Sequence, residues 1–254
     1  MQRALIIVTS HAELGATGEK TGFWWEELAA PYYELEHARY DVDIASPRGG
    51  VPPADPQSLD EQGKDPATTE AIRRFIANPE AMRKLTRSLA VREIDPSRYA
   101  VAYFVGGHGA MWDLPDNPTI ARILSEIHDQ GGVIAAVGHG TAAFKGARLR
   151  RGLPLIVAHT VTGFSDVEER TVGLSGIVPF PLESMLVQEG ARYLAGPPFA
   201  PHVVISGHLV TGQNAASAAL TAQKAVQLAR LPFTRDQSVF CEYGSRAPAA
   251  EPLV

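Results

Sequence analysis

An apolar run, Val133–Val137, leads directly into Gly138-His139-Gly140-Thr141, where the chain turns toward a helix. A sharp turn between a buried strand and a helix is where several enzyme classes present a nucleophile. Small neighbours make room for a strained backbone there, and the first helix amides face the reacting oxygen. The turn position in this chain is Gly138, which offers neither hydroxyl nor thiol but tolerates the unusual backbone angle at least cost. His139 follows, a side chain able to accept a proton or to donate one to a substrate oxygen. Two plainer readings compete. The segment is equally a tight strand–helix turn without chemistry, and Gly138-His139-Gly140-Thr141-Ala142-Ala143 also fits the G-x-G-x-x-A dinucleotide fingerprint. That fingerprint requires an acidic residue about twenty positions on, and Val157–Thr160 contains none.

Such a turn needs a sheet to hold it. The 254-residue chain is 45% hydrophobic and 20% charged, enough apolar content for a full core. Ala4–Val8, Tyr99–Val105 and Val133–Val137 are near-continuous apolar runs, as expected of strands covered on both faces, and Asp41–Ala45 alternates as a fourth strand. His159–Gly163, Val203–Ser206 and Leu209–Thr211 read as shorter strands. Helices are expected over Phe23–Glu36, Thr68–Ala77, Glu80–Leu89, Pro118–Asp129, Pro181–Glu189 and Ala216–Ala229, with another starting near Thr141. This alternation predicts an α/β three-layer sandwich around a mainly parallel sheet, with ligands at the carboxyl ends of the strands. Residues 1–230 are read as one domain with a small helical insertion over about 48–97, and 231–254 as a tail that is loosely docked or disordered.

The bulk properties narrow the partners. A net charge of −5 without a Lys/Arg cluster supplies no field for nucleic acid. No apolar run approaches the length of a membrane span, and the N-terminal apolar stretch stops at Thr9-Ser10-His11, too short for a secretory signal. Cys241 is the sole cysteine, so no intrachain disulfide forms, and a cytoplasmic setting is expected.

Five ordered stretches carry a family resemblance: TSHAELGATGEKTGFWWEELAAPY, VAYFVGGHGAMWDL, GGVIAAVGHGTAAF, VTGFSDVEERTVGLSGIVPFPLE and LVTGQNAASA. Together they resemble the PfpI family of the class I glutamine amidotransferase-like superfamily. The nearest branch is that of the heat-shock chaperone and glyoxalase III proteins, relatives of the Parkinson-associated deglycase. The resemblance implies a flavodoxin-like fold, commonly a homodimer. It also implies an elbow Cys, a His directly after it and a buried Glu from the first helix. His139 and Glu27 match these positions, while Gly138 stands where the Cys would be. By the same resemblance Glu169, or failing it Asp166, orients His139.

Taken by itself Glu27 reads as an exposed helix residue like Glu26; the resemblance turns it toward the pocket, where burial would raise its pKa. Gly106-Gly107-His108-Gly109 can place backbone amides beside the pocket, with His108 in contact with substrate. Gly140, Trp24, Trp25 and Asn214 complete the expected lining, although the two tryptophans serve equally as core. His11, Glu13, His37, His202 and His208 show no tight ligand spacing, so neither a metal nor another cofactor is expected. The reading is a Cys-independent enzyme doing acid–base chemistry on a small carbonyl-type or activated organic substrate, by hydration, elimination, isomerisation or hydrolysis. The rivals are a non-catalytic chaperone or binding protein, and an inactive Cys-to-Gly form of a glyoxalase III- or deglycase-like enzyme.

Overall fold

The computed structural model describes residues 2–60, 66–150, 152–231 and 240–244. In chain order the elements are β1 (Arg3–Ile7), α1 (Trp25–His37), β2 (Asp41–Ser46), α2 (Pro66–Ala77), α3 (Pro79–Thr86), β3 (Leu89–Ala90) and β4 (Tyr99–Phe104). They continue as α4 (Ala110–Asp113), α5 (Pro118–Asp129), β5 (Val133–Val137), β6 (Thr160–Val161), α6 (Asp166–Thr171) and α7 (Leu182–Gln188). The last are β7 (Arg192–Tyr193), β8 (His202–Ser206), β9 (Leu209–Gly212), α8 (Ala218–Ala229) and β10 (Phe240–Gly244).

Eight strands form one sheet in the order β10-β8-β9-β5-β4-β1-β2-β3. The pairs from β9 to β3 are parallel, and β8 runs antiparallel to both β9 and β10. The apolar runs are buried on both sides because alternate residues feed two cores. Leu5, Ile7, Ala102, Phe104, Ile134 and Ala136 face α5 and α7, while Ala4, Ile6, Val101, Tyr103, Val133 and Ala135 face α1 and α8. This is the flavodoxin-like sandwich that the sequence predicts. Among the described residues no helix is long and apolar enough to cross a membrane.

Helix α1 carries a proline, Pro31, whose missing N–H forfeits one helical hydrogen bond. Burial of Leu28, Ala29, Tyr32 and Leu35 outweighs that loss, at about 1.5–3 kcal/mol for each large side chain. Between β2 and β3, α2 leans on α1 through Phe75, which meets the rings of Trp25, Tyr32 and Tyr33 edge-on.

Three expectations change. The helix anticipated from Thr141 is a short, wholly buried 3-10 run, Gly138–Phe144. Two glycines weaken it at the start, and Gly146 at φ +78° turns the chain away soon after its end. The strand expected over His159–Gly163 shrinks to β6, which pairs with β7 in a separate two-stranded piece. Within the segment read as a loose tail, β10 adds to the sheet edge beside β8; residues 232–239 and 245–254 lie outside the described residues.

Candidate active site

The chain leaves β1 to one side to form β2 and returns on the other to form β4, so the carboxyl ends of β1, β4 and β5 meet at a topological switch point, the place where sheets of this kind collect ligands. Gly138 directly follows β5 at φ +52°, in the left-handed region that favours glycine. A Cβ built there would lie 2.9 Å from Glu27 Oε1 and 3.2 Å from Oε2. The carboxyl group of Glu27 therefore stands against the turn, in the space a side chain at 138 would enter.

Glu27 reaches this position from the first turn of α1. The Trp24 N–H donates to Gly106 O at 3.0 Å, and the Gly106 N–H donates to Glu27 Oε2 at 2.8 Å, so the helix start is strapped to the loop after β4. Any Cβ at Gly106 would run into that carboxylate. Burial pushes the Glu27 carboxyl up to about 8; the Gly106 N–H opposes the rise, and Glu26 and Glu168 add to it. Glu27 is thus a protonated acid at neutral pH. The Gly106 amide, one of those expected beside the pocket, is committed to Glu27 instead.

His139 Nε2 lies 2.7 Å from Glu169 Oε2, and His108 Nε2 lies 2.9 Å from Glu169 Oε1. The two imidazoles lean together with centroids 4.2 Å apart, and the Phe164 ring covers His139 at 4.5 Å. Burial alone would raise Glu169, but the hydrogen bonds from His108 and His139, backed by the charge each ring carries when protonated, hold it at about 2. Burial, reinforced by His108, depresses His139 below its ordinary value despite Glu169. The pair is therefore an ionised carboxylate beside a neutral imidazole. With Nε2–H donated to Glu169, the other ring nitrogen, Nδ1, carries the lone pair.

Glu169 is held in place by its neighbour. Ser165 caps α6 in a reciprocal capping box with Glu168, and Glu168 also accepts from Phe199 N–H at 2.7 Å, Gln213 Nε2 at 3.1 Å and Asn214 Nδ2 at 2.7 Å. Glu168 is fully buried, and these donors satisfy it. Asp166, the alternative orienter, instead donates its backbone N–H to Glu183.

The remaining expected residues divide. Gly107, at φ +102°, and Gly140 fill tight backbone crossings against Gly22 and Phe104, and no side chain fits at either. Trp24 directs its indole N–H to Glu26, and Trp25 turns into the core against Phe23 and Phe75. Asn214 is a brace for Glu168 and the start of α8 through Ser217. Residue types alone did not single out Glu168, Phe164 or Phe199; of these only Glu168 has a readable signal, the Ser165-x-x-Glu168 capping pattern. His108, His139 and Glu169 also bring one ligand atom each within 4.8 Å of one another.

The DJ-1/PfpI family model matches residues 20–228. The chain belongs to the DJ-1/PfpI family. Among DJ-1/PfpI relatives, it is 31% identical over 233 residues to the glutathione-independent glyoxalase HSP31 of Saccharomyces cerevisiae, covering 89% of this chain and 97% of that one. It is 28% identical over 235 residues to glyoxalase 3 of Candida albicans, covering 89% and 98% of the two chains. The solved structure of the 24 kDa rapid encystment protein of Francisella tularensis superposes with a TM-score of 0.85 at 35% identity, covering 90% of this chain and 99% of that one. Candida albicans glyoxalase III superposes at 0.82 with 28% identity, over 89% and 97%.

Proposed function

We propose that this protein is a thiol-independent acid–base enzyme acting on a small carbonyl compound. The observation that carries the reading is the neutral Glu27 carboxyl packed against Gly138, where a nucleophile would project, with His139 next in the chain. Water takes the place of the thiol. His139 Nδ1 removes a proton from the water as its oxygen bonds to the carbonyl carbon, and Glu27 protonates the oxygen that receives the electron pair. Glu169 stabilises the imidazolium formed. The product of this step is a gem-diol. With a 2-oxoaldehyde, moving the C–H proton to the adjacent carbon then yields a 2-hydroxy acid with no further reactant. The glyoxalase names of the relatives support that substrate class. In the same reading the enzyme works in the cytoplasm as a homodimer without a required cofactor.

The test is consumption of methylglyoxal and phenylglyoxal without glutathione. Glu27→Gln and His139→Ala should each lower kcat by about 100-fold or more. Turnover surviving both substitutions overturns the mechanism. Gly138→Cys tests the rival that the chain is merely a glyoxalase lacking its thiol: a large gain in methylglyoxal consumption would favour that rival, and no gain supports a site adapted to work without it.

A further inference from the structure

We propose that His108, His139 and Glu169 form a binding site for a divalent transition-metal ion of the zinc type, and that occupancy switches off the proton transfer assigned to His139. Two imidazoles and one carboxylate, with a fourth position open to water, make a donor set suited to such ions. All three side chains are buried, and they come from three separate places: the loop after β4, the turn after β5 and helix α6. Both Nε2 atoms point at the same carboxylate, at 2.9 and 2.7 Å, and the three ligand atoms lie within 4.8 Å of one another. In a tetrahedral zinc site, donors about 2.1 Å from the ion stand about 3.4 Å apart. Parting the His108 contact by about 0.5 Å and the His139 contact by about 0.7 Å therefore brings both to that separation.

The surroundings are already built to orient the ligands. Glu168, through Ser165, Phe199, Gln213 and Asn214, fixes the start of α6 and hence Glu169, and the Phe164 ring lies against His139. Such outer contacts determine ligand orientation and affinity. A cation between the three would sit directly against the Glu169 carboxyl oxygens.

Metal binding and the proposed catalysis exclude each other. Coordination uses the Nε2 lone pair of each ring, so the proton now on Nε2 must move to Nδ1. His139 Nδ1 then holds a hydrogen and can no longer act as base. This consequence rests on the acid–base reading of His139, whereas the binding site itself does not.

The experiment titrates the metal-free full-length protein with Zn2+ by calorimetry and with Co2+ by visible absorption, in the absence of substrate. The expected result is one ion per chain, Co2+ bands of a low-symmetry site, and a Tm that rises with Zn2+. His108→Gln should weaken binding by at least about 100-fold, and its metal-free Tm reports whether the fold survives. Glu169→Gln is the second ligand variant. Absence of saturable one-to-one binding, or binding that persists in both variants, overturns the site. In the wild-type protein, carbonyl turnover should fall in proportion to occupancy and return on chelation; turnover unaffected at full occupancy overturns the switch while leaving the site. A chain with no turnover that still binds one ion refutes the catalytic reading alone, so the two failures are separable.

Discussion

Replacing Glu27 with glutamine should stabilise the protein, and by an amount that grows with pH. The folded carboxyl is raised to about 8 from an ordinary value of 4.5, chiefly by burial. Between these values the folded chain binds a proton that the unfolded chain has released, so stability falls as pH rises through the interval. The full stability is present below about pH 4.5; at pH 7 about 3 kcal/mol has been lost, and above pH 8 the loss levels off near 5 kcal/mol. Glutamine stays neutral throughout, and its carbonyl can keep the hydrogen bond from the Gly106 amide. The charged and titratable groups that face Glu27 are Glu26, Glu168 and the buried Tyr103 phenol; the two carboxylates oppose ionisation of Glu27 and none of the three assists it. The variant should therefore match wild type near pH 4.5 and exceed it at pH 7 by about 3 kcal/mol, or roughly 6–12 °C in Tm. Urea melts and calorimetry from pH 5 to 9 measure the gap. A gap that stays flat with pH, or a variant less stable than wild type above pH 7, would falsify the placement of Glu27 as a buried neutral acid.

Other outcomes follow from the same geometry. Gly138→Ala should cost about 1–2 kcal/mol in denaturant melts, because an L side chain is strained at φ +52°; a neutral or stabilising effect would rule out the left-handed turn. Glu169→Gln should lose about 3 kcal/mol at pH 7, since the carboxyl is held near 2 in the fold. That contribution is present above about pH 4.5 and vanishes as pH falls toward 2, so a difference unchanged between pH 3 and 7 argues against it. If Glu27 gives a proton and His139 takes one, kcat/KM should peak below pH 8 and above the depressed range of His139, and Glu27→Gln should remove the alkaline limb. A profile identical in both proteins would show that Glu27 does not titrate in the reaction.

Residue types alone point to the sheet and the turn. Val133–Val137 and Ala4–Val8 are short runs apolar at every position, as strands covered on both faces are, and Gly138 suits a backbone angle that other residues resist. The ordered motifs brought Glu27, His139 and Glu169 into one list, but residue types gave no means of telling Glu169 from Asp166 three positions earlier. The tertiary structure made that choice, because the first turn of α6 points position 169 at two imidazoles and leaves the N–H of position 166 to Glu183. It also decided which tryptophan enters the core, since Trp25 meets Phe75 from an α2 helix distant in sequence. The 3-10 form of the elbow and the hydrogen-bonded cradle of Glu168 likewise depend on Phe199, Gln213 and Asn214 or on close backbone crossings. Local periodicity reports which face of an element is buried. It carries no information about which distant groups meet there, and the proton affinities of Glu27 and Glu169 are set by those meetings.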